Sequence, residues 1–190
     1  MSKVFNVVYD VDDVLNNLND YVMLKIGKKS ARYYNINLCD EFTQEEKERI
    51  YEMFGDSTVF SKLSSVDGAD EICDIESTGK AKVWINSSNY NKDVAEIKYP
   101  WLLKHIPNLN KDRIRLQIGK GEHKECCDFA DIVVEDCFTN LLKYSDKVIK
   151  ILIDKTYNQA ETYGTTDRDS SIIRVNSLRE ANELIYAIIF

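Results

Sequence analysis

The stretch Val7-Val8-Tyr9-Asp10-Val11-Asp12-Asp13-Val14-Leu15 decides how the rest of the chain is read. Residues 4–9 are mostly apolar and β-branched, and the run stops abruptly at carboxylates. That is the pattern of a strand buried on both faces that delivers residues to a site at its C-terminal end. Acids crowded there repel one another and add nothing to a core, so a cation or a chemical task should account for them. Where the chain stays extended, alternation points Asp10 and Asp12 to one side and Val11 to the other. Two carboxylates then face one electrophile. Asp10 suits in-line attack on phosphorus, and Asp12 suits protonation of the leaving oxygen followed by activation of water. An acidic turn in which Asp12 or Asp13 caps a following helix is the competing reading of this stretch taken alone.

Working outward, Leu15, Leu18, Val22 and Ile26 recur near helical spacing, with Gly27 as the stop. Thr43 and Glu46 form a capping box that opens a helix through Ile50, Met53 and Phe54 and ends at Gly55. Residues 57–75 read as helix interrupted by Gly68. The segment 17–78 is therefore expected to be helical throughout. Strands are expected at 81–86, 113–118, 131–134 and 148–153, with a short edge strand at 172–175. Helical stretches separate several of them, around 101–105 and 138–144. Ser177 and Glu180 make a second capping box, with Leu178, Ala181, Leu184, Ile185 and Ile188 on one face of a final helix. Strands alternating with helices predict an α/β fold, a Rossmann-like parallel sheet sandwiched by helices over residues 1–16 and 79–190. A small helical cap, 17–78, is inserted after the first strand. Such sheets bind ligands at the carboxyl ends of their strands.

Composition narrows the function classes. The chain has 190 residues, is 44% hydrophobic and 30% charged, and carries a net charge of −7. These values fit an ordinary globular protein and offer no dense basic face for a nucleic-acid polymer. Lys25, Lys28, Lys29 and Arg32 come nearest to a basic cluster; they read as a solvated helix end, or as a patch above an anionic substrate. No apolar run reaches the roughly 20 residues that span a bilayer, and MSKVFNVVYD reads as a strand edge rather than a signal peptide. A cytoplasmic location is expected. Five cysteines, two of them adjacent, suggest no disulfide framework, and no Cys-x-x-Cys occurs. A soft-metal site is not expected.

The apolar strand followed by Asp-x-Asp-x-Val resembles the first signature of the haloacid-dehalogenase-like phosphatases, and three further stretches follow in the order that family has them. Val83-Trp84-Ile85-Asn86-Ser87-Ser88 is similar to the second, which implies that Ser87, or else Ser88, holds the transferring phosphoryl group. Ile118-Gly119-Lys120-Gly121 is similar to the third, implying Lys120 as the cation beside the nucleophile, with Lys124 as the alternative. Ala130-Asp131-Ile132-Val133-Val134-Glu135-Asp136 is similar to the fourth. The resemblance implies Mg²⁺ held by Asp10, the backbone carbonyl of Asp12 and Asp136, with Glu135 reaching the metal through water or repositioning it. Glu135 departs from the Asp-Asp usual there.

Within that superfamily, Asn86-Ser87-Ser88-Asn89 with Lys98-Tyr99-Pro100-Trp101-Leu102, and Leu152-Ile153-Asp154-Lys155-Thr156-Tyr157-Asn158 leading to Arg174-Val175-Asn176-Ser177-Leu178, look like the 5′(3′)-deoxyribonucleotidase branch. Asn89 and Thr156 stand where that branch usually has Pro. The resemblance implies hydrolysis of a nucleoside monophosphate, with Ser88 and Lys155 contacting substrate and the protein free to form a homo-oligomer. Tyr33, Tyr34 and Phe42 of the cap are candidates to stack a base. A sugar phosphate or other small metabolite as substrate, or a member that binds its ligand without turnover, are the alternative readings.

Overall fold

Strand β1 (Phe5–Tyr9) lies at the centre of one six-stranded parallel sheet with β2 (Ala81–Asn89), β3 (Ile114–Ile118), β4 (Ile132–Glu135), β5 (Ile149–Ile153) and β6 (Ile172–Val175). The computed structural model describes residues 3–119, 124–159 and 171–190. The strand order is β3-β2-β1-β4-β5-β6. The order reverses beside β1, so the loops leaving β1 and β4 diverge and open a crevice at their carboxyl ends. Register makes that crevice exact in height: Tyr9 stands opposite Ile85 on one side and Val134 on the other. The following residues, Asp10, Asn86 and Glu135, therefore arrive level at one edge.

Helices α1 (Leu18–Lys25), α2 (Gln44–Gly55), α3 (Ser57–Phe60) and α4 (Ile72–Ser77) fall between β1 and β2. The rest follow as α5 (Lys92–His105), α6 (Phe138–Leu141), α7 (Thr156–Gln159) and α8 (Leu178–Ile189). Both sheet faces are buried, as parallel strands require. Val7, Tyr9, Val83, Ile85, Val134 and Ile151 belong to the larger core. Val8, Val133 and Leu152 face a smaller one with Phe138, Leu141 and Tyr144.

The helical segment after β1 has two parts. Asn16 bridges antiparallel to Ser65, and the Val66 N–H donates to the Leu15 carbonyl at 3.0 Å, so the outgoing and returning chains meet there. Beyond that crossing α4 packs on β2 and α8. Before it, α3 packs on α5, and the Trp101 indole N–H donates to the Leu63 carbonyl at 2.9 Å.

Several local expectations are refined. Thr43 and Glu46 do form a reciprocal capping box on α2, at 3.2 and 2.8 Å. At α8 only half of the box is present: Ser177 accepts from the Glu180 N–H, while the Glu180 carboxylate reaches back one residue further, to the Asn176 N–H at 2.7 Å. Strand β2 runs three residues beyond the expected 86, because its pairing with β3 continues through Asn89–Ile118. Ser87 and Ser88 consequently lie inside the strand and point to opposite faces. The chain also leaves extended geometry directly after Asp10. The N–H groups of Val14, Leu15 and Asn16 all turn onto the Val11 carbonyl at 2.8–3.3 Å. Strand alternation is therefore not what presents Asp12; a tight turn is.

Candidate active site

The turn after β1 is held by its own side chains. Asp13 adopts φ +59°, a left-handed conformation costly for a residue with a Cβ and eased in Asp by local hydrogen bonding. Its N–H donates to Asn16 Oδ1 at 3.1 Å, and its Oδ1 accepts from the Asn19 N–H at 2.9 Å. The Leu18 N–H also donates to Asn16 Oδ1, at 3.1 Å, and Asn16 Nδ2 donates to Asp12 Oδ1, also at 3.1 Å. Asn16 thus ties the Asp12 carboxylate to the start of α1.

The second oxygen of Asp12 meets a buried cation. Lys98, fully buried on α5, places Nζ 2.7 Å from Asp12 Oδ2 and 3.1 Å from the Ser87 hydroxyl. Phe60 of α3 lies under the same ammonium, 4.6 Å from ring centroid to Nζ. Burial pushes the Asp12 carboxyl up, Lys98 opposes this, and Asp10 adds to it. In the sequence Lys98 stands within a stretch that resembles the nucleotidase branch, with no role implied for it. The helical pattern held the clue: Val94, Ala95, Lys98, Trp101 and Leu102 are the buried residues of α5, so Lys98 sits on the apolar face where an amine needs a partner.

A second buried lysine converges from the other side. Lys124 Nζ stands 2.9 Å from Asp10 Oδ1 and contacts Glu135 Oε1 closely. Burial alone would depress the Lys124 ammonium, but Asp10 and Glu135 outweigh it and hold the charge above its ordinary range. Lys124, the alternative in the sequence reading, is thus the lysine the structure brings to Asp10; Lys120 lies outside the described residues. The segment after Lys124 is pinned through its backbone. Gln117 accepts from the Glu125 N–H at 2.9 Å and donates to the Glu125 carbonyl at 3.1 Å, and Asn86 Nδ2 donates to that carbonyl at 3.0 Å.

Asp10, Glu135 and Asp136 bring ligand oxygens within 4.8 Å of one another, all three buried. Among the described residues Glu135 Oε2 has no hydrogen-bond partner there, and Asp10 Oδ1 meets the Lys124 ammonium. Burial, then repulsion from Asp13, Asp10 and Glu135, holds the Asp136 carboxyl well above the usual carboxylate range. Burial likewise pushes Glu135 up to about 7, with Lys124 opposing and Asp10 adding. Hard oxygen donors, crowded and partly unpaired, fit a hard divalent cation. The longer Glu135 side chain spans both tasks, one oxygen on Lys124 and the other left toward the cluster. The Asp12 side chain is not among these ligands, since Lys98 and Asn16 take its two oxygens.

The remaining candidates separate cleanly. Ser87 is buried beside Lys98, whereas the Ser88 hydroxyl donates to the Gly119 carbonyl at 2.5 Å and serves the β2–β3 junction. Lys155 is close enough to Asp13 to lower its carboxyl, although burial dominates and Asp13 is pushed up to about 7. Tyr157 and Asn158, quoted in the sequence without assigned roles, both hold Asp136: the Tyr157 hydroxyl donates to Oδ2 at 2.7 Å and Asn158 Nδ2 to the backbone carbonyl at 2.8 Å. Phe42 is buried in the core and Tyr33 packs against it. Tyr34 alone of the cap aromatics is exposed, its ring 5.9 Å from that of Tyr157. Lys28 of the basic cluster is engaged by Glu46 at 3.1 Å and by the Glu41 carbonyl.

Residues 3–189 match the family model described as 5′ nucleotidase, deoxy (pyrimidine), cytosolic type C protein. The chain belongs to this family. Solved structures with the same fold include a protein described as a predicted phosphatase from Clostridium acetobutylicum, at 14% identity and TM-score 0.57, covering 98% of this chain and 100% of that one. A haloacid dehalogenase-like hydrolase from Streptococcus pneumoniae aligns at 11% identity and TM-score 0.54 over 97% and 98% of the two chains. A HAD-superfamily hydrolase from Ehrlichia chaffeensis aligns at 14% and 0.54 over the whole of both. No curated protein matches the chain in sequence. The family match shows the chain to be a phosphatase of the haloacid-dehalogenase-like kind acting on phosphomonoesters, and the solved structures share its fold. Among the described residues no helix is long and apolar enough to cross a membrane, and all five cysteines are free.

Proposed function

We propose that the chain is a Mg²⁺-dependent nucleoside monophosphate phosphatase, in which the insert expected to be cap over 17–78 serves as cap through residue 64 and joins the core from Ser65 on, where α4 packs on β2 and α8. The observation that carries the reading is the placement of Asp10: a buried carboxylate at the switch point of the sheet, its Oδ1 2.9 Å from the Lys124 ammonium, beside a Glu135 oxygen left without a hydrogen bond among the described residues. A dianionic phosphoryl group entering that crevice meets Lys124 on one side and Lys98 with Ser87 on the other.

The chemistry follows from the side chains. The Asp10 carboxylate forms a bond to phosphorus as the ester P–O bond breaks, and Asp12 gives its proton to the leaving oxygen. Asp12, now ionised, takes a proton from water as that water attacks the phosphoryl on Asp10, releasing inorganic phosphate and restoring the carboxylate. Lys124 and Lys98 hold the charge on the equatorial oxygens, and the Ser87 hydroxyl donates to one of them. Asp10, Glu135, Asp136 and the Asp12 carbonyl would hold Mg²⁺, which lowers the repulsion between carboxylate and phosphate. Lys155, facing Asp13 at the rim, and the exposed ring of Tyr34 are placed to meet the nucleoside; Ser88 is not assigned to substrate.

Phosphate release from a panel of nucleoside monophosphates and sugar phosphates with Mg²⁺ tests this, with Asp10→Asn as control. Turnover of nucleotides that vanishes in the control is expected. Preference for a sugar phosphate would overturn the substrate, and turnover surviving in Asp10→Asn would overturn the nucleophile.

A further inference from the structure

Asp136 is gripped from α7 at two points, side chain and backbone, by consecutive residues. Asn158 is itself saturated: Nδ2 also donates to the Ile153 carbonyl at 2.8 Å, and Oδ1 accepts from the Lys155 N–H and from Arg174, each at 3.1 Å. The backbone of Asp136 is therefore fixed in height. What remains free is rotation of its carboxylate, and the Tyr157 hydroxyl opposes that from a buried position by bonding to Oδ2 at 2.7 Å. The Tyr157 ring is in turn packed beside Tyr34. One carboxylate oxygen is thus committed to a phenol, and one is left for the cluster with Asp10 and Glu135.

Cation chemistry gives this arrangement a consequence. Mg²⁺ demands six ligands in near-ideal octahedral geometry, each carboxylate lending one oxygen. Ca²⁺ is larger, takes six to eight ligands and readily accepts both oxygens of one carboxylate. We propose that the Tyr157 hydroxyl is a metal-selecting group, which holds Asp136 to one-oxygen coordination and so favours Mg²⁺ over Ca²⁺. The inference rests on the metal site proposed above. Tyr157 is a positioning residue in this role and touches neither substrate nor reacting atoms.

The test is calorimetric titration of Mg²⁺ and of Ca²⁺ into the metal-stripped protein, wild type and Tyr157→Phe, without substrate. Phenylalanine keeps the ring beside Tyr34 and removes only the hydroxyl. The Mg²⁺-to-Ca²⁺ affinity ratio should fall about tenfold or more in the variant, within the range that second-layer partners of metal ligands command. Equal loss for both cations would show that the hydroxyl merely steadies Asp136 and would overturn the selectivity. An unchanged ratio would do the same. Wild type that binds neither cation would overturn the metal site itself, and this inference with it. A crystal structure of wild type grown with Ca²⁺ gives an answer independent of how the variant folds: Asp136 coordinating through one oxygen supports the proposal, and through both overturns it.

Discussion

Replacing Lys98 by methionine probes the least anticipated contact in the site. The change keeps an unbranched side chain and removes an ammonium lying over the Phe60 ring, 2.7 Å from Asp12 Oδ2 and 3.1 Å from Ser87 Oγ. Removing one partner of a buried pair costs about 3–5 kcal/mol when the survivor must stay charged. Asp12 keeps 25% of its side chain exposed and can take up a proton, so the expected loss of stability is nearer 1–3 kcal/mol. The loss of activity should be larger than that implies. A cation aimed at developing phosphoryl charge is worth roughly 10²–10³ in kcat. The pH profile adds a sign. Burial pushes the Asp12 carboxyl up while Lys98 opposes protonation. Without the lysine, Asp12 stays protonated to higher pH, so the alkaline limb of kcat/KM, which requires the acid form, should move upward. Steady-state phosphate release across pH, beside a denaturation curve, measures both. A folded Lys98→Met protein whose kcat/KM stays within about threefold of wild type, with an unmoved alkaline limb, would refute the placement of Lys98 on the phosphoryl group.

Ser87→Ala should lower kcat/KM by about 10²-fold, whereas Ser88→Ala should leave catalysis nearly intact and cost about 1 kcal/mol through its lost bond to Gly119; comparable kinetic losses in the two would contradict the assignment. In EDTA, stability should fall as pH rises from about 4 to about 7, because Asp13 and Glu135 titrate near 7 in the folded chain and near ordinary carboxylate values when unfolded. Groups raised in this way lend their stability below the unfolded value and lose it on ionising, so the melting temperature should drop over that window. Saturating Mg²⁺ should recover most of the loss at pH 8; a flat profile in EDTA would show that the cluster ionises without strain.

The sequence by itself determined the layout of the molecule. Periodicity and punctuation are local, so the six strands, the helical insert and the capping box at Thr43 could be read from spacing alone. So could the acids at the ends of β1 and β4, because a carboxylate closing an apolar run marks a place on the chain without reference to any other segment. What depended on contacts across the chain had to wait for the tertiary structure. Ser87 was separated from Ser88 only when pairing of β2 with β3 extended the strand and turned the two hydroxyls to opposite faces. Lys124 reaches Asp10 because Gln117 and Asn86, from two neighbouring strands, pin the Glu125 backbone beside it. Asp12 is aimed by a turn and by Lys98, which lies 86 residues away in the chain, rather than by strand alternation. Local patterns record which backbone a segment prefers; which side chain meets which charge is settled by packing between segments distant in sequence.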